Sequence, residues 1–79
     1  MATELYEKII RFSDALEAEG YHEWSQMLSD SIEYGSTGSE ILMASRFHLI
    51  NLLESDEIVE PSLRIQARGL LKSIDGLIH

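Results

Sequence analysis

The stretch Glu40-Ile-Leu-Met-Ala-Ser-Arg-Phe-His-Leu-Ile-Asn-Leu-Leu-Glu54 decides the fold. At about 100° per residue it shows no single apolar stripe. Ile41, Leu42, Leu49, Leu52 and Leu53 fill one third of the circumference. Met43, Phe47 and Ile50 fill most of another, with Ala44 further round. A helix that is apolar nearly all round is buried nearly all round or spans a membrane. A span needs roughly 20 apolar residues with few charges, and this run is shorter and holds Arg46. The expectation is a central, nearly fully buried third helix that its neighbours wrap.

Its start is marked twice. Thr37 and Glu40 have the spacing of a capping box, in which the hydroxyl accepts from a first-turn N–H and the carboxylate reaches back. Ser39 competes as N-cap, and Gly35 and Gly38 supply a permissive preceding turn.

On the N-terminal side, Leu5, Ile9, Phe12 and Leu16 recur at spacings of four, three and four. Glu7, Arg11, Asp14 and Glu17 lie opposite, which predicts a helix over 4–18 with Thr3 as N-cap and Gly20 as its stop. From Tyr21 to Tyr34 the stripe is Tyr21, Trp24, Leu28 and Ile32, widened by Met27. The tight connection at Gly20 predicts an antiparallel hairpin of these two helices.

On the C-terminal side, Ile58 and Val59 are the apolar anchors of an acidic turn over 55–60. Pro61 suits the first position of a last helix, where its missing N–H is no loss. Leu63, Ala67, Leu70, Leu71, Ile74, Leu77 and Ile78 form its apolar arc. Arg64, Arg68, Lys72 and Asp75 lie opposite, and Gly69 weakens the helix or admits a close neighbour. No alternation of period two marks a strand. The fold class is all-α, a four-helix bundle forming a single domain over residues 1–79.

Several function classes are disfavoured by composition. The chain lacks cysteine, so disulfides, zinc–thiolate sites and thiol nucleophiles are excluded together. The net charge is −8 over 79 residues, which disfavours nucleic acid, whose phosphates are bound by Lys and Arg. The charge is uneven: residues 1–60 carry three basic and thirteen acidic side chains, a net of −10. Residues 61–79 carry three basic side chains against Asp75, a net of +2. No basic segment followed by an apolar run opens the chain, so no secretory leader or membrane span is expected and the expected address is the cytoplasm.

Leu16-Glu-Ala-Glu-Gly-Tyr-His-Glu-Trp24 and Gly35-Ser-Thr-Gly-Ser-Glu-Ile-Leu-Met43 together resemble a group of short bacterial helical proteins without an assigned activity. The resemblance covers about residues 16–54. It implies a bacterial source and a small stand-alone protein, and carries no functional residues over.

Candidate sites are few. Gly35-Ser-Thr-Gly-Ser39 opens a helix, where free N–H groups attract anions, but the phosphate-loop lysine is replaced by Ser39-Glu40. Glu19 and His22 have the Glu-x-x-His spacing of di-iron bundles, yet no second copy exists and Gly20 interrupts the helix. His48, one turn from Ser45 and Asn51, reads as a boundary histidine hydrogen-bonded to another helix. Glu54, Asp56, Glu57 and Glu60 lack the glycine-centred ligand alternation of a calcium loop. These readings leave no catalytic, cofactor or metal site.

Ile10, Tyr34 and Ile65 are hard to bury in a monomer, and Arg64, Arg68 and Lys72 form a basic arc that acidic faces of a second copy would meet. The expected function is a small, acidic, non-enzymatic protein-interaction module that binds itself as a homodimer, another protein, or both. The alternative is a small-ligand or metal-binding helical protein using His22 and His48. A narrower alternative is an immunity- or antitoxin-like inhibitor of a basic toxin.

Overall fold

The computed structural model describes residues 2–78, with side chains from Glu4 onward. It contains four helices: α1 (Ala2–Ala18), α2 (His22–Glu33), α3 (Gly38–Glu54) and α4 (Pro61–Ile78). No strand occurs among the described residues. Connections this short turn each helix antiparallel to the one before. The all-α four-helix bundle expected from the apolar periodicities is the fold. α1 starts at Ala2, so Thr3 falls within its first turn; the cap expected of the Thr3 side chain lies outside the described residues.

The packing is a ring. α1 rests on α2 and α4, and α3 rests on the same two helices from the opposite corner. Leu5, Ile9, Phe12 and Leu16 of α1 meet Leu28, Leu42, Leu49, Leu52, Leu63, Ala67, Leu70 and Ile74 in one core. This arrangement corrects the placement of α3, which is a corner and not a centre. Leu42, Ser45, Leu49 and Leu52 are buried, while Met43 is 53% and Phe47 62% exposed. In a ring of four, every helix keeps an arc turned to solvent, however apolar its sequence.

Two other expectations are corrected. The α2 stripe is buried in full only at Leu28; Tyr21, Trp24 and Ile32 are half-buried. The α1–α2 seam is closed by small polar residues instead: Ser13 donates to the Ser25 carbonyl at 2.8 Å, and its hydroxyl lies 3.0 Å from Ser25 Oγ and 3.2 Å from Ser29 Oγ. In the 55–60 turn, Ile58 is buried but Val59 is exposed.

The turns follow from local chemistry. Gly20 adopts φ +91°, a left-handed conformation that side chains disfavour. Tyr21 N–H donates to the Leu16 carbonyl at 2.9 Å and Gly20 N–H to the Glu17 carbonyl at 3.1 Å, the paired bonds of a Schellman stop. Gly35 is required by space, since a Cβ there would meet Ile41 Cγ1 at 2.4 Å and the Ser31 carbonyl at 2.8 Å. Thr37 is the N-cap of α3, accepting from Glu40 N–H at 3.2 Å. The Glu40 carboxylate reaches one residue beyond the expected partner, accepting from Ser36 N–H at 3.1 Å. Gly69 admits no close neighbour, because a Cβ there would have nothing within 4 Å.

Candidate interaction surfaces

The six residues singled out from sequence are spread over the bundle. Ile10 is 45% exposed on α1, and Tyr34, at the C-cap of α2, is 75% exposed. Ile65, 64% exposed, shares the outer side of α4 with the exposed Arg68 and Lys72. The structure thus brings Ile65, Arg68 and Lys72 together and leaves Ile10 and Tyr34 apart.

Arg64 has an internal role. Its guanidinium donates to the carbonyls of Leu53 at 2.6 Å, Ile58 at 3.2 Å and Ser55 at 3.3 Å. These carbonyls are left open at the end of α3 and in the following turn, where a cation also complements the helix dipole. The planar fork of arginine donates from two separate nitrogens here, where a lysine would offer a single point of donation. Arg64 therefore fastens α4 to the end of α3.

Sequence reasoning missed the outer face of α3. Met43, Phe47 and Ile50 recur at spacings of four and three, so they share one side of the helix. Arg46, within the same turn, bonds through Nε to Asp75 Oδ1 of α4 at 2.6 Å. Apolar periodicity alone does not single this side out; the burial of Ser45 and Leu49, one turn apart on the core face, turns Phe47 to the opposite side.

A groove of about 490 Å³ runs between α2 and α3, lined by Met27, Asp30, Tyr34, Glu40, Ala44 and His48 among others. It joins two carboxylates to an exposed phenol and a half-buried imidazole. Burial pushes the His48 pKa below its ordinary 6.5, and the Asp30 carboxylate opposes the shift. The Phe47 ring stands edge-on to His48, with centroids 5.5 Å apart. Ser45, one turn from His48, is fully buried and its hydroxyl has no hydrogen-bond partner. The two residues therefore form no nucleophile–base pair.

The remaining sequence candidates have local partners. His22 opens α2 beside the Glu17 carboxylate, while His48 lies near Asp30, about 12 Å further along α2 at 1.5 Å per residue. Among the described residues no three His, Asp or Glu side chains gather as metal ligands. Glu60 accepts from the Tyr21 hydroxyl at 2.6 Å. At the 35–39 turn the Glu40 carboxylate already accepts the N–H that an anion would take. No helix is long and apolar enough to cross a membrane among the described residues.

No protein-family model, curated protein or solved structure matches the chain.

Proposed function

We propose that the chain is a small, acidic, non-enzymatic protein-interaction module working in the cytoplasm. The observation that carries this reading is the row of Met43 and Phe47, 53% and 62% exposed on the outside of α3. A solvent-facing phenyl ring flanked by methionine contributes nothing to the bundle core. Aromatic residues and methionine are enriched where proteins meet, and contiguous apolar area on a small monomer marks such places. The net charge of −8 keeps the free protein soluble and speeds its encounter with cationic surfaces.

A photo-crosslinking residue at position 47, with a control at the exposed Asp14, tests the proposal in cells. A discrete adduct from position 47 alone supports it, and its mass tells a second copy from another protein. If neither 47 nor 43 gives an adduct that the control lacks, the reading fails.

A second reading is favoured by the α2–α3 groove, where Asp30 and Glu40 face Tyr34 and His48. Two carboxylates beside an aromatic ring suit a cationic group, either an amine ligand or the Arg and Lys side chains of a basic toxin. Loss of binding in Asp30→Asn with Phe47→Ala unaffected would favour this groove over the α3 face.

A further inference from the structure

We infer that the partner of the α3 outer face is a second copy of this chain, with α3 of each copy laid against α4 of the other. The inference rests on the interaction reading above and names its occupant.

The Arg46–Asp75 ion pair locates the face. Met43 and Ile50 lie three and four residues from Arg46, and Lys72 and Arg68 lie three and seven from Asp75, so all four flank the pair on the α3–α4 side. Phe47 and Ile65 stand one step outward, 62% and 64% exposed. One half of this face is therefore apolar, ending in the exposed carboxylate of Glu54, and the other half is cationic. Among the described residues Arg68 and Lys72 form no ion pair, although the chain carries 14 acidic side chains.

The register is fixed by two ties. Arg46 meets Asp75, and Arg64 meets the Leu53 carbonyl. Phe47 and Ile50 lie between these levels on α3, as Arg68 and Lys72 do on α4. A twofold axis parallel to the helices keeps every level while exchanging the halves. It sets Phe47 of one copy against the cations of the other, where a ring face attracts Lys and Arg, and brings Glu54 within a turn of the other copy's Arg68. Each contact occurs twice, as an isologous interface demands. The alternative axis, perpendicular to the helices, stacks α4 on α4 and sets Arg68 and Lys72 against their own copies, which like-charge repulsion opposes.

The area is adequate. A standard interface takes roughly 800 Å² from each partner, about a sixth of the 4936 Å² surface. The broadest side of the body, 30 × 22 Å, is of the same order.

Light scattering on the full chain across a concentration series, with variants checked by circular dichroism, tests the pairing. Wild type doubles in mass with concentration, and Phe47→Glu stays monomeric. Glu54→Lys and Arg68→Glu each weaken the dimer by about tenfold or more, because each sets like charges face to face. Mixing those two variants restores wild-type association, since the mixed dimer matches opposite charges at both α3–α4 contacts. A wild type monomeric at every concentration overturns self-pairing, while the crosslink at position 47 still decides the broader reading. A dimer that Phe47→Glu breaks but the charge variants leave intact, or one indifferent to Phe47→Glu, overturns this arrangement.

Discussion

The Tyr21 hydroxyl donates to Glu60 Oε1 at 2.6 Å across 39 residues of sequence, tying the first interhelical turn to the last. The bond holds the Glu60 carboxyl below its ordinary value and pushes Tyr21 above 10.0. A depressed carboxyl pKa stabilises the fold above its unfolded value, and that stability is lost as pH falls through the folded one. A raised phenol pKa stabilises below its unfolded value, and that stability is lost as pH rises through the folded one. Thermal melts of wild type and Tyr21→Phe should therefore differ most between the carboxylate and phenol ranges and converge at both extremes. A constant difference at all pH values would show that the bond does not form in solution.

Ser45 and Ser13 make opposite predictions. Ser45 is fully buried with an unpartnered hydroxyl, so Ser45→Ala should raise stability by about 1 kcal/mol, the lower end of the penalty for an unsatisfied buried polar group. Ser13 donates to the Ser25 carbonyl, so Ser13→Ala should lower stability by about 1 kcal/mol. Urea unfolding measures both.

The two sides of α3 separate under truncation. Leu49→Ala removes a fully buried side chain and should lose about 2 to 5 kcal/mol. Phe47→Ala, on the exposed side, should change the monomer's stability by less than about 0.5 kcal/mol. Equal losses in denaturant titrations would restore the picture of α3 as a helix buried all round.

His48 supplies a further pH signature. Its folded pKa lies below 6.5 because of burial, with Asp30 opposing from α2. The unfolded chain then binds the proton more readily, so this contribution to stability is full above 6.5 and falls away as pH drops from there to the folded pKa. His48→Gln should flatten this segment of the stability curve. Asp30→Asn should lower the His48 midpoint further in an NMR titration; an unmoved midpoint would mean that the two residues do not interact.

The periodicities of α1 and α4 were legible because each runs between a polar and an apolar side. Leu5, Ile9, Phe12 and Leu16, and Leu63, Ala67, Leu70 and Ile74, are all buried. The sequence of α3 misleads because its apolar residues exceed what one corner of a ring can bury, and a helical wheel does not say how many neighbours a helix has. Ser25 and Ser31 were invisible as core positions because burial of a hydroxyl depends on partners: Ser25 finds Ser13 on α1, and Ser31 bonds the Met27 carbonyl within its own helix. Of the residues proposed for an interface, Ile65 was readable as an apolar intruder on a basic arc, and it is exposed. Arg64 looked equivalent to Arg68 and Lys72 by its place on that arc. Only the fold shows that the end of α3 stands within its reach.

The ring order of the helices also shapes how the chain assembles. Of the packed pairs α1–α2, α2–α3, α3–α4 and α1–α4, three join neighbours in sequence and close only short loops. Proteins built from such local pairings fold in microseconds to milliseconds. The α1–α4 seam alone must gather distant parts of the chain, so its loop-closure entropy falls on a single step. The hairpins α1–α2 and α3–α4 each close a short loop, whereas the α1–α4 contact joins the two ends of the chain and gives the fold its longest sequence separation.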